Sequence, residues 1–152
     1  MRHREAVYGF RERYDDLNNA YKKALSEGYY STQYDAMAVA VNMPSRRFWV
    51  SEDRLVEVIN AIEAGRDIRV SHKSPRYEMF HELYRLYLDY KAEHPGLSKL
   101  EICSEIIWQP APKFYIKPSW GLKILHKGRG RRQRHHHHRN YDSTKELNSD
   151  EA

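Results

Sequence analysis

Two stretches decide the reading of this chain: Pro44-Ser45-Arg46-Arg47-Phe48-Trp49-Val50 and Pro110-Ala111-Pro112-Lys113-Phe114-Tyr115-Ile116. Both run proline, small residue, any residue, basic, phenylalanine, aromatic, β-branched. They stand 66 positions apart, and the same offset aligns residues 14–50 with residues 80–116 without a gap. Leu17 then falls on Leu83, Tyr21 on Tyr87 and Glu27 on Glu93. Conservative pairs such as Tyr14 with Phe80, Asp16 with Glu82 and Asp35 with Glu101 fill the intervals. Self-similarity at a fixed period marks a chain built from two copies of one supersecondary unit.

Working outward from the paired segments, each unit reads as helical. Val7, Phe10, Tyr14, Leu17, Tyr21 and Ala24 recur at three- and four-residue steps, as do Tyr77, Phe80, Leu83, Tyr87 and Tyr90. Such spacing places them on one stripe of a helix. Gly28 and Pro95-Gly96 stop these helices. Capping-box spacing follows in both copies, Thr32 with Asp35 and Ser98 with Glu101, opening second helices near Tyr34–Asn42 and Leu100–Trp108. After the paired segments, Ser51-Glu52-Asp53 starts a third helix to about Ala64, with acids where the macrodipole favours them. Its counterpart is predicted over about Pro118–His126, where the correspondence between copies degrades. The predicted fold is all-α: two tandem tri-helical, helix-turn-helix-like repeats with a disordered basic C-terminal tail. The units are residues 1–65 and 77–126, joined by a basic linker at 66–76 and followed by an Arg/His-rich tail at 127–152.

Charge is unevenly placed. The chain carries a net +5, yet residues 1–126 hold 19 Lys+Arg against 17 Asp+Glu. Lys127, Arg129, Arg131, Arg132, Arg134 and Arg139 supply six cations with no acid among them, and residues 140–152 are acidic. Basicity therefore belongs to the tail, where it would hold phosphate in a salt-dependent way. No apolar run approaches the length of a membrane helix, and the charged start MRHREAVYGFRERYDD is no signal peptide. A single Cys103 forms no internal disulfide. These features point to the cytoplasm of a bacterium or a phage-infected host cell.

A tri-helical unit of this kind carries helix-turn-helix DNA readers. On that reading Arg46, Arg47 and Arg54 in the first copy, with Lys113, Lys117 and Lys123 in the second, face DNA phosphates. Arg129, Arg131, Arg132 and Arg134 add affinity from the tail. Some eight residues separate the second and third helices, against the three or four of a helix-turn-helix. The plain alternative is a helical protein whose basic residues flank an aromatic core plug. Phe48 and Phe114 fit that plug better than a stacking platform for bases, with Trp49 and Tyr115 partly open. Enzyme chemistry finds no support: no G-x-S-x-G, P-loop or H-E-x-x-H occurs, and Cys103 lies on an apolar stripe. No cofactor is implied. The run His135–His138 lacks the separated pairs of a structural metal site and reads as pH-dependent charge on a basic arm.

The repeated segment resembles a motif of small tandem-repeat, helix-turn-helix-like proteins encoded by phages and mobile elements of gut bacteria. The resemblance covers most of residues 14–126. It implies a regulatory or DNA-packaging-related role and no enzyme chemistry, and it transfers no functional residues. Two readings of function follow: DNA binding through both modules, or a structural adaptor that binds a protein partner through aromatic helices.

Overall fold

The computed structural model describes residues 2–136, and the side chains of residues 9–130. It contains six helices: α1 Arg2–Glu27, α2 Gln33–Ala40, α3 Glu52–Glu63, α4 Pro75–Glu93, α5 Lys99–Ile106 and α6 Pro118–His136. The caps follow from the hydroxyl residues at the helix starts. Thr32, Ser51, Ser74 and Ser98 accept from backbone N–H groups of Asp35, Arg54, Arg76 and Glu101. The return bond of the capping box forms in the second copy, where the Ser98 N–H donates to Glu101 Oε1 at 2.8 Å. Glu101 reaches back and the shorter Asp35 carries no such bond. The Ser98 backbone N–H, and after it the Ser98 hydroxyl, hold the Glu101 carboxyl below the usual carboxylate range.

The apolar stripes bury as their spacing predicts, but the helices do not assemble by sequence unit. One core gathers α3 with α4 and α5: Leu55, Val58 and Ile59 meet Phe80, Leu83, Tyr87, Ile102 and Ile106. The other gathers α6 with α1 and α2: Ile124 and Leu125 meet Tyr14, Leu17, Tyr21, Met37 and Ala40. Each three-helix bundle thus takes its third helix from the other half of the chain. Neither 1–65 nor 77–126 is a packing unit. The consecutive helices α2 and α3, separated by residues 41–51, lie in different cores instead of docking as a helix-turn-helix pair.

The exchange happens where the two quoted segments pass each other. Ser45 and Ala111 form an isolated antiparallel bridge, with N···O distances of 2.9 and 3.0 Å. Phe48 N–H donates to Ile107 O at 2.9 Å, and Phe114 N–H donates to Val41 O at 2.9 Å. Both pairs repeat at the offset of 66, so the crossing is a local two-fold. Beyond the bridge the side chains alternate between the two cores, through a tight turn at Trp49 (Val50 N–H to Phe48 O, 3.1 Å) and a left-handed Tyr115 (φ +58°). Phe48, Val50 and Tyr115 enter the α3/α4/α5 core, while Phe114 enters the α1/α2/α6 core with Trp49 and Ile116 against it. Phe48 and Tyr115 stack across the crossing at 6.0 Å between ring centroids. Each phenylalanine therefore fills the bundle that its own first two helices do not belong to.

Polar contacts fasten the exchanged helix α3. Lys99 Nζ at the start of α5 donates to Asn60 Oδ1 (2.6 Å) and Glu63 Oε1 (2.7 Å), and Ser104 Oγ donates to Glu52 Oε2 at 2.6 Å. The partner of α6 is steric. A Cβ on Gly121 would lie 2.7 Å from Met37 Sδ, and one on Gly128 would fall inside the Tyr14 ring. These glycines let α6 approach α2 and α1 closely.

This contact corrects the predicted extent of the last helix. It does not end near His126 but runs to His136, so residues 127–136 of the expected disordered tail are helical. The glycine at 128, a stop signal by local rules, is a packing position. Residues 137–152, the rest of that tail, lie outside the described residues.

Cys103 sits fully buried among the α3/α4/α5 core residues. Burial raises its thiol from 9.0 to about 12, with Lys99 opposing and Glu52 adding to the shift. A raised thiol pKa contributes stability below the unfolded value and loses it as pH climbs from 9 toward 12. At pH 8 the native thiol is expected to resist a disulfide-forming reagent and to react promptly in denaturing urea. Fast labelling of the native protein would contradict its placement in the core.

Candidate nucleic-acid interface

The structure sorts the cations chosen from sequence into two groups. Four have partners within the fold, although the Arg46 side chain stays 58% exposed. Arg46 lies against Asp16, with its N–H donating to Asp16 Oδ2 at 2.8 Å, its Nε 3.7 Å from Oδ1, and a further bond to the Glu12 carbonyl. The same Asp16 oxygen accepts from Ser45 Oγ at 2.7 Å, and Ser45 Oγ accepts from Trp49 Nε1, so Arg46 closes a network around the crossing. Arg47 stands between Trp49 (5.1 Å to the ring centroid) and Trp108 (3.8 Å) and donates to the carbonyls of Phe48 and Val50. It pins the exposed Trp108 ring over the crossing through cation–π contact. Arg54 pairs with Glu57, donates to the Ile68 carbonyl and lies over Phe80. Lys113 pairs with Glu78 at 2.9 Å and lies over Tyr115.

The second group lies on α6 and at its start. Lys117 and Lys123 are exposed, and Lys123 Nζ stands 5.4 Å from the ring centroid of the exposed Trp120. Arg129 is also exposed. Arg131, Arg132 and Arg134 continue the same helix, and their side chains lie outside the described ones. The buried positions of α6 are Gly121, Ile124, Leu125 and Gly128, at helical spacing. Ser119, Trp120, Lys123 and His126 take the exposed side.

The two third helices have opposite charge. In α3, Glu52, Asp53, Glu57 and Glu63 outnumber Arg54. In α6, six Lys+Arg occur with no acid. The two bundles are alike in packing and unlike in what their third helices offer a polyanion.

Sequence reasoning passed over two arginines. Arg13 on α1 and Arg76 in the first turn of α4 line a pocket of about 340 Å³ with Tyr115, Lys117, Ser119 and Trp120. Among the described residues, buried Nε of Arg13 has no hydrogen-bond partner. Burial lowers the Arg13 guanidinium pKa first, and the Arg76 charge lowers it further. Arg76 is lowered by burial and then by Arg54. No sequence signal marks these two, because only the exchange brings α1, α4 and the start of α6 to one place. Tyr115, in the wall of this pocket, is buried at φ +58°. A left-handed conformation costs a non-glycine residue about 1–2 kcal/mol, which its burial in the core offsets. Burial also raises its hydroxyl to about 12, with Glu82 and Glu78 adding to the shift.

No helix of the described residues is long and apolar enough to cross a membrane. Comparison with protein-family models, curated proteins and solved structures gives no match.

Proposed function

We propose that the protein binds double-stranded DNA along α6, with the α1/α2 bundle holding that helix as a rigid presenting surface. The observation that carries this reading is the contrast between α6, with six Lys+Arg and no acid, and the acidic α3. Phosphate neutralisation by clustered cations supplies the sequence-independent part of DNA affinity. A helix of 19 residues with one face fixed and the opposite face basic has the form that enters a major groove. This replaces two equal readers with one, since α3 would repel phosphate. Arg46, Arg47, Arg54 and Lys113 then serve chiefly the crossing and the cores.

The test is a fluorescence anisotropy titration of a duplex across a salt series. Six phosphate contacts correspond to a log–log slope of roughly −5. Lys123→Gln with Arg129→Gln is expected to weaken binding about tenfold or more at low salt and to reduce the slope by about 2. Unchanged affinity and slope in that double variant would exclude α6 as the interface. The competing reading, an adaptor that docks a protein, rests on the exposed side chains of Tyr29, Leu88 and Leu100. Absence of duplex binding by the wild-type protein would return attention to those side chains.

A further inference from the structure

We propose that the pocket framed by Arg13, Arg76 and Lys117 is a seat for a phosphate group, and that it takes a DNA backbone phosphate at the N-terminal end of α6. The second half of that statement rests on the DNA-binding reading above; the seat itself does not.

Every charged side chain that lines the pocket is a cation, and none of its lining residues is acidic. Both arginines line one pocket and have lost hydration, and the Arg76 charge lies near enough to lower the Arg13 guanidinium further. Arg13 Nε is buried with no hydrogen-bond partner among the described residues, a desolvation cost the protein leaves uncompensated, and an anion held in the pocket beside the same guanidinium would offset it through its charge. Arg76 has Phe80 beneath its guanidinium and no ion pair among the described residues. Like charges gathered in a concave, partly desolvated site whose lining holds no acid are completed by an anion, with Glu78 and Glu82 acting only from behind the Tyr115 wall.

The start of α6 adds to this. Lys117 O accepts from the N–H groups of Trp120 and Gly121, so Lys117 precedes the first turn, and that turn holds no acid. A lysine there stands at the positive end of the macrodipole, the disfavoured sign. A bound phosphate reverses that penalty. Pro118 has no N–H, and Ser119, the next residue of the first turn, lines the pocket wall. Two guanidinium groups match the oxygens of a phosphate better than a point charge would. Beyond the pocket mouth, Trp120 and Lys123 belong to the exposed side of α6, so a strand seated by one phosphate runs onto the proposed DNA face.

The experiment uses the full chain and two probes: inorganic phosphate, exchanged against chloride at constant ionic strength, and a blunt duplex without terminal phosphates. Arg13→Met with Arg76→Met removes the charges while keeping bulk, and Lys117→Gln is a second, exposed variant. Wild type is expected to show saturable thermal stabilisation by phosphate that chloride does not reproduce. Both variants should lose it, and their duplex affinity should fall about tenfold with a slope reduced by 1 to 2. Loss of phosphate binding in Lys117→Gln, with its near-native far-UV spectrum, keeps the result clear of any folding defect in the double variant. Absence of saturable phosphate binding by wild type overturns the seat. Phosphate binding with unaltered duplex affinity in the variants overturns the backbone assignment. Phosphate binding that depends on these residues in a protein with no duplex affinity upholds the seat and refutes the DNA reading, leaving a free phosphate compound as its occupant.

Discussion

Phe48→Ala is expected to destabilise the protein by about 3–5 kcal/mol, the usual cost of removing a buried phenylalanine, and to loosen α4 and α5 before α1 and α2. The ring is 1% exposed and sits in the α3/α4/α5 core, stacked with Tyr115. Removing it opens a cavity whose walls are mostly residues from the second half of the chain. Phe114→Ala has the opposite regional effect, because Phe114 fills the core of α1, α2 and α6. Native-state hydrogen exchange, read amide by amide, distinguishes the two cases. If Phe48→Ala selectively exposed α1 and α2 amides, the third helices would be packing within their own sequence units and the exchange described above would be refuted. Urea titration of both variants supplies the magnitude. A loss below about 1 kcal/mol would mean that the ring is not the core anchor its burial implies.

Gly128→Val should lower stability by about 1–3 kcal/mol, the common range for overpacking a well-filled interior. Intrinsic propensity argues the other way, since glycine is about 1 kcal/mol worse than alanine inside a helix. The steric effect wins here because the atoms in the way are ring carbons of Tyr14, which is 2% exposed. A ring so enclosed has nowhere to swing, so α6 must lift from α1. Gly9→Ala is the matched control: a Cβ at Gly9 in α1 meets nothing within 4 Å. That substitution should raise the melting temperature while Gly128→Val lowers it by about 5 °C or more. Equal effects at the two sites would show that α6 does not lie on Tyr14. The same contact bears on any truncation. A chain cut at residue 127 loses Gly128 as well as the basic residues, so substitution of charge is the cleaner probe of DNA binding.

The identity of the helices was legible because their causes are local. Stripes at three- and four-residue spacing, hydroxyl caps at Thr32, Ser51 and Ser98, and Pro118 as a first helical residue all act within one or two turns. The phenylalanine plugs were legible too, since a large apolar residue repeated at equivalent places next to helix starts belongs in a core. What local rules misjudged was the end of α6, where Gly128 was a stop by propensity and a close approach by packing.

The candidate interface was legible only in part. Lys117, Lys123 and Arg129 stand exposed as their charge suggests. Arg46, Arg47, Arg54 and Lys113 carry the same charge and spend it on Asp16, two tryptophans, Glu57 and Glu78. Nothing in sequence separates those groups, because a cation's availability depends on which acid or ring the fold brings beside it. Arg13 and Arg76 show the converse. They lie 63 positions apart, on helices of different bundles, and become one charged pocket when the chain crosses itself.

By itself the sequence determined an all-helical chain, the duplicated stripes and caps, and a concentration of positive charge toward its C-terminal end. Tertiary structure alone decided which third helix each bundle receives. The copies match through residue 116 and diverge in their third helices, and the features that fit α6 to its core, Gly121 against Met37 and Gly128 against Tyr14, read locally as breaks in a helix, not as a choice of partner. The crossing chooses: reciprocal bonds between Ser45 and Ala111, Phe48 and Ile107, and Phe114 and Val41 carry each chain segment past the other. That choice places the basic helix α6 on α1 and α2, and it assembles the arginine pocket at its start.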